Sequence, residues 1–185
     1  MRSALDRMNK DENFVFVFSQ AHIYRFIEKF DPEMFLEIQR RVKEGRFVLV
    51  GGWTVQPDCN IPSGESFCRQ GLYSQRYFIK KFGRMARTGY CVDSFGHNAN
   101  LPQILYKSGL VNYVFMRPFE YEQSLGSDVF KWKSKDGSSV LAFRICETYH
   151  SEFVDAKDLE KVIKKNREYY DDDTGELREI LITEL

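Results

Sequence analysis

The sequence predicts an α/β fold in which parallel strands alternate with helices in a sheet or barrel, with a β-hairpin near residues 128–145. Two observations carry this expectation. Short apolar runs rich in aromatic and β-branched residues recur along the chain, the pattern of strands covered on both faces. Between them lie segments with helical periodicity and capping residues at their ends, and such alternation demands right-handed crossovers between parallel strands.

Met1 to Asn9, with Leu5 and Met8 at helical spacing, reads as the end of an amphipathic helix. Phe14 to Phe18 is the first continuous apolar run and the first expected strand. Gln20 to Lys29 follows as a helix with Ile23, Phe26 and Ile27 on its inward stripe. Asp31-Pro32 caps and starts a helix to Glu44 whose Met34, Phe35, Ile38 and Val42 face inward, and Gly45 stops it. Phe47 to Val50 is a second strand.

After Gly51-Gly52 the pattern breaks over Trp53 to Ser63, and such loops beyond strand ends are where parallel folds keep their chemistry. Ser63 then N-caps a long helix to Phe82, which Gly83 ends. Thr88 to Val92 is the third strand, Leu101 to Lys107 a helix closed by Gly109, and Asn112 to Met116 the fourth strand. Arg117 to Ser127 lacks periodicity and reads as an active-site loop or an exposed excursion. Phe130 to Lys133 and Ser139 to Arg144 form the hairpin through Lys135-Asp136-Gly137. Asp155 to Tyr169 is helical, Asp171 to Gly175 a solvated turn, and Ile180 to Ile182 one more buried strand.

At 185 residues the chain has ordinary single-domain size but is small for a complete barrel, so residues 1–185 are expected to form a single partial domain. Twenty-seven basic residues balance 27 acidic ones, which leaves no field to collect nucleic acid or an anionic membrane surface. Aromatics, 15% of the chain, suit both a filled core and sugar-stacking walls. Cys59, Cys68, Cys91 and Cys146 sit at no metal-binding spacing and read as free thiols, which leans cytoplasmic. No basic segment precedes an apolar run at the start, and no apolar stretch reaches the roughly 18 residues of a membrane span.

Asp93 is the sharpest candidate for chemistry. It directly follows the third strand, where a carboxylate projects into the mouth of a barrel and can bind a metal or attack a sugar carbon; Asp-Ser is equally an Asx turn. His97 reads as a packing or supporting residue as readily as a ligand. Gly51-Gly52 permits close backbone approach, and Trp53 offers a flat face to a sugar or to the core. Asp58 and Glu65 lie in or near the same loop, Glu65 in the first turn of a helix. Arg117, just past the fourth strand, suits paired hydrogen bonding to a carboxylate as well as the surface. Tyr149 and His150 follow the hairpin, while His22 reads as structural or exposed.

Several runs, taken together, make a resemblance specific: Phe16-Val17-Phe18-Ser19-Gln20-Ala21, Val42-Lys43-Glu44-Gly45-Arg46, Gly51-Gly52-Trp53, Pro62-Ser63-Gly64-Glu65-Ser66, Gln75-Arg76-Tyr77-Phe78, Asp93-Ser94-Phe95-Gly96-His97 and Leu101-Pro102-Gln103-Ile104-Leu105. In this order and spacing, over about Asn13 to His150, the chain resembles the α-mannosidases of glycoside hydrolase family 38. The resemblance implies a (β/α)7-type barrel, one zinc ion, and retaining hydrolysis of α-mannosides through a covalent glycosyl-enzyme. It makes Asp93 nucleophile and zinc ligand, Arg117 the arginine that supports the nucleophile, Trp53 part of the wall of the sugar site, and Tyr149 a further residue lining it.

The family's remaining zinc ligands, a His-x-Asp pair on a first strand and a later His in a glycine-rich segment, have no counterpart in the chain, and no general acid is identifiable. Zinc needs about three or four protein ligands, so the isolated chain is expected neither to hold catalytic zinc nor to cleave mannosides without the remainder of the catalytic domain. A metal-dependent polysaccharide deacetylase is the rival enzyme, but its Asp-Asp pair and His-x-x-x-His are not seen. A non-catalytic glycan-binding or structural remnant is the rival from another class.

Overall fold

The computed structural model describes residues 1–145 and 179–181, the last three by their backbone. Five helices, α1 (Arg2–Lys10), α2 (Ala21–Phe30), α3 (Pro32–Lys43), α4 (Gly64–Phe82) and α5 (Leu101–Lys107), alternate with strands among these residues. The strands are β1 (Phe16–Phe18), β2 (Phe47–Leu49), β3 (Thr88–Cys91), β4 (Asn112–Phe115), β5 (Val129–Lys133), β6 (Ser139–Arg144) and β7 (Glu179–Leu181). The helix expected over Asp155 to Tyr169 and the turn at Asp171 to Gly175 lie outside the described residues, as do Tyr149 and His150.

Local chemistry sets the helix ends. The Asp31 carboxylate accepts from Met34 N with Pro32 in the first turn, Ser63 Oγ accepts from Ser66 N, and α4 ends on Gly83 in the left-handed region at φ +70°. Each such side-chain cap is worth about 1 kcal/mol. At the start of α2, Gln20 takes φ +69°, a left-handed backbone in a residue with a Cβ, two residues past the end of β1.

β1 and β2 pair in parallel, Phe16 opposite Phe47 and Phe18 opposite Leu49. The second sheet runs β3-β4-β6-β5-β7, with β3, β4 and β6 mutually parallel, the β5–β6 hairpin antiparallel, and β7 parallel to β5. Gly51 N donates to Thr88 O at 2.8 Å and links the end of β2 to the start of β3. The arrangement is the expected partial parallel barrel with a hairpin. β1 and β2 run the same way, as do β3 and β4, so the segments after β3 and β4 emerge at one edge of their sheet.

The core holds Tyr24, Phe47, Phe78, Trp53, Tyr113, Phe115, Phe130 and Trp132. Two expectations are corrected. The β1 and β2 runs are not covered on both faces: Val17 and Val48 are exposed, because the two strands present one face to the helices and no described element packs on the other. In α2 the inward stripe is Ala21, Tyr24 and Ile27, while Phe26 is 55% exposed and packs at a tilt against Phe30. Tyr24 enters the core because its hydroxyl donates to Phe18 O at 3.0 Å, and a satisfied phenol is no costlier to bury than the phenylalanine it displaces.

Candidate active site

The loop after β3 is built around Ser94. Its buried Oγ accepts from Cys59 N at 2.9 Å and donates to Gly96 O at 2.7 Å. A short parallel bridge pairs Cys59 with His97, and Asn98 N donates to Cys59 O at 3.3 Å. The irregular loop after β2 and the loop after β3 therefore hold each other. Within this anchored loop Asp93 alternates outward: Val92 and Ser94 are buried, Asp93 is exposed, and no described hydrogen bond or ion pair engages its carboxylate. A free carboxylate on a hydrogen-bonded scaffold at a strand end suits nucleophilic or ligating chemistry.

Arg117 follows β4 at the same edge, one residue past buried Met116, and its bond to Pro118 is cis. Its guanidinium lies over Phe95 at 4.7 Å and over Phe119 at 4.8 Å. Phe95 belongs to the Asp93 loop, so a cation–π contact joins the two loops. Among the described residues no ion pair links Arg117 to Asp93.

Trp53 lies with the core. It is 1% exposed, edge-on to Phe67 at 5.6 Å and near Tyr113 at 6.3 Å, so both ring faces are covered by protein. His97 is also buried: Nε2 is 2.8 Å from Arg117 O and Nδ1 is 3.1 Å from the Tyr113 hydroxyl. Asp58 closes an Asx turn onto Asn60 N and Ile61 N, and Glu65 accepts from Arg69 in the first turn of α4. These two carboxylates are spoken for locally.

No group of three or more His, Cys, Asp or Glu side chains that could hold a metal ion occurs among the described residues. With one free carboxylate and a histidine engaged at both nitrogens, they do not by themselves fit a zinc site. Sequence reasoning missed Ser94, Cys59 and Tyr113 as the supports of this edge. Their contacts span up to 54 positions, and the sole local signal was a small hydroxyl residue directly after Asp93. No helix among the described residues is long and apolar enough to cross a membrane.

Residues 1–177 match the glycosyl hydrolases family 38 N-terminal domain. The chain is 36% identical over 157 residues to alpha-mannosidase G of Dictyostelium discoideum, which covers 84% of this chain and 14% of that protein. It is 35% identical over 140 residues to human alpha-mannosidase 2C1, covering 75% and 14%. The chain thus spans about one seventh of the length of these curated relatives. Its fold is similar to the crystal structure of an alpha-mannosidase from Enterococcus faecalis, with TM-score 0.77, 22% identity, and 91% of this chain and 20% of that one covered.

Proposed function

Because this chain belongs to glycoside hydrolase family 38, within that family's N-terminal domain, we propose that the whole protein is an α-mannosidase. Its substrates are terminal α-mannosides of oligosaccharides or glycans, and its reaction retains the anomeric configuration. The observation that carries this reading is Asp93, a solvent-facing carboxylate without a hydrogen bond or ion pair among the described residues, on a loop that the buried Ser94 anchors at the end of β3.

Asp93 attacks the anomeric carbon, forming a carbon–oxygen bond while the bond to the leaving oxygen breaks. A carboxylic acid elsewhere in the protein gives that oxygen its proton. Water then cleaves the glycosyl-enzyme, and mannose leaves with its original configuration as Asp93 returns to the carboxylate. Arg117, whose guanidinium lies over Phe95 of the same loop, is assigned as the cation that supports this carboxylate. Tyr149 is assigned to the wall of the sugar site, and Trp53, with its ring faces covered, to supporting that site from within the core. Zinc is proposed for the whole protein with Asp93 as the ligand from this chain, and a cytoplasmic site of action follows from the free thiols.

Full-length protein supplied with zinc is expected to release 4-nitrophenol from 4-nitrophenyl α-mannoside, the first-formed sugar appearing as the α anomer by NMR. Asp93→Asn should lower kcat by about 10³-fold or more. An inactive full-length protein, or an Asp93→Asn variant with unchanged kcat, overturns the reading.

A further inference from the structure

We propose that His97 is a positioning residue that latches the loop carrying Asp93 to the backbone of Arg117; the proposal rests on the reading of these two as the reacting carboxylate and its supporting cation. His97 Nε2 lies 2.8 Å from the carbonyl oxygen of Arg117. A carbonyl only accepts, so Nε2 carries the proton, while Nδ1 is paired with the Tyr113 hydroxyl at 3.1 Å. Both partners together fix the orientation of the ring. Tyr113 is fully buried, and the ring of His97 sits edge-on to Phe115 at 5.0 Å and to Trp132 at 6.0 Å. The imidazole therefore has neither a free nitrogen for a metal nor room to swing.

What this arrangement does follows from where its ends lie. His97 stands four residues after Asp93 in the same loop, while Arg117 follows β4. Asp93 and Arg117 share no described ion pair, so the spacing between carboxylate and guanidinium is set by what joins the two loops. Among the described residues two contacts do so: the His97 hydrogen bond to the Arg117 backbone, and the Phe95 ring beneath the Arg117 guanidinium at 4.7 Å. The hydrogen bond is the directional one, because it fixes where the main chain of Arg117 leaves β4. A misplacement of about 1 Å in such a pair costs roughly 10²-fold in rate.

The test compares full-length wild-type protein with His97→Phe, which keeps a ring in the core but removes both hydrogen bonds, and with His97→Gln, which restores a donor toward Arg117. On 4-nitrophenyl α-mannoside, His97→Phe is expected to lower kcat by about 10²-fold with little change in KM, and His97→Gln to regain about tenfold of that loss. In ¹H–¹⁵N spectra the ring-current shift that Phe95 imposes on the Arg117 guanidinium should vanish in His97→Phe and return in His97→Gln. Unchanged kcat in His97→Phe, or equal losses in both variants with the Arg117 signals unmoved, overturns the latch. Should His97→Phe fail to fold, the ¹⁵N shifts of wild-type His97 decide: a ring with no proton on Nε2 overturns it. If wild-type protein cleaves no mannoside, the α-mannosidase reading falls, while the Arg117 signals still judge the latch.

Discussion

The carboxylate of Asp128 accepts a 2.7 Å hydrogen bond from Arg144 Nε at the end of β6, where the arginine is 2% exposed. The same guanidinium donates to Gln123 O at 2.9 Å and reaches the Glu120 carboxylate, and Arg144 N donates to Asp128 O at 2.8 Å. One buried cation thus ties down the excursion that begins at Arg117.

Removing its buried partner should be expensive. Asp128→Ala leaves a desolvated guanidinium with the largely exposed Glu120 as its one counter-charge among the described residues, and an uncompensated buried charge costs about 3–5 kcal/mol. Urea unfolding is expected to give a loss near the lower figure. Arg144→Met, which removes the charge itself, should cost less than Asp128→Ala; the opposite order would show that the pair stabilises as a salt bridge rather than by satisfying the arginine.

Thiol labelling should separate the cysteines by burial. The Sγ atoms of Cys59 and Cys91 are 3.7 Å apart and enclosed, with Cys91 also donating to Pro57 O at 3.1 Å. Contact with Cys59, reinforced by burial, pushes the Cys91 thiol well above its ordinary range, so it offers almost no reactive thiolate. Cys68 is exposed. Peptide mass spectrometry after brief iodoacetamide treatment should find Cys68 modified in the folded protein, with Cys59 and Cys91 modified only after denaturant is added.

Acid should weaken the contact between α3 and the segment leading into β2. A hydrogen bond from Arg41, then one from Arg46, holds the Glu44 carboxyl below its ordinary value of 4.5. A depressed carboxylate contributes stability that is complete above the unfolded value and lost as pH falls through the folded one. Tm should therefore be flat in this contribution above about pH 5 and decline below pH 4.5. Glu44→Gln should flatten that decline and lower Tm at neutral pH by a modest amount, because Glu44 is partly exposed and solvent screens the pair. A Glu44→Gln variant with the wild-type acid slope would locate the titration elsewhere.

The elements most legible in the sequence are those whose cause is local. Asp31, Ser63 and Gly83 end helices through their own side chains or their lack of one, and Asp136-Gly137 turns the hairpin within four residues of either strand. Asp93 and Arg117 were locatable because each directly follows an apolar run. What was not legible depends on partners far along the chain. Tyr24 rather than Phe26 faces inward because Phe18 O is placed to accept its hydroxyl. Trp53 is covered because Phe67, on α4, folds over it. His97 reads equally as ligand or support until Tyr113 and the Arg117 carbonyl are seen to occupy both nitrogens.

Gly52 offers a clean test of why two glycines follow β2. It has φ +67°, and a Cβ built on it would stand 2.7 Å from Leu110 Cδ2, just ahead of β4. Left-handed backbone costs a residue with a Cβ about 1–2 kcal/mol, and forcing a methyl group against a packed leucine adds about 1–3 kcal/mol. Gly137, at φ +86° in the hairpin turn, has nothing within 4 Å of the same position. Gly137→Ala should therefore report the backbone contribution alone, and Gly52→Ala that contribution plus the packing one. Urea midpoints should place Gly52→Ala below Gly137→Ala by the packing difference. Adding Leu110→Ala to Gly52→Ala relieves the collision, so the double variant should lose less than the sum of the two single changes. Strict additivity would mean that Leu110 yields freely, leaving the φ angle as the whole reason for glycine at this position.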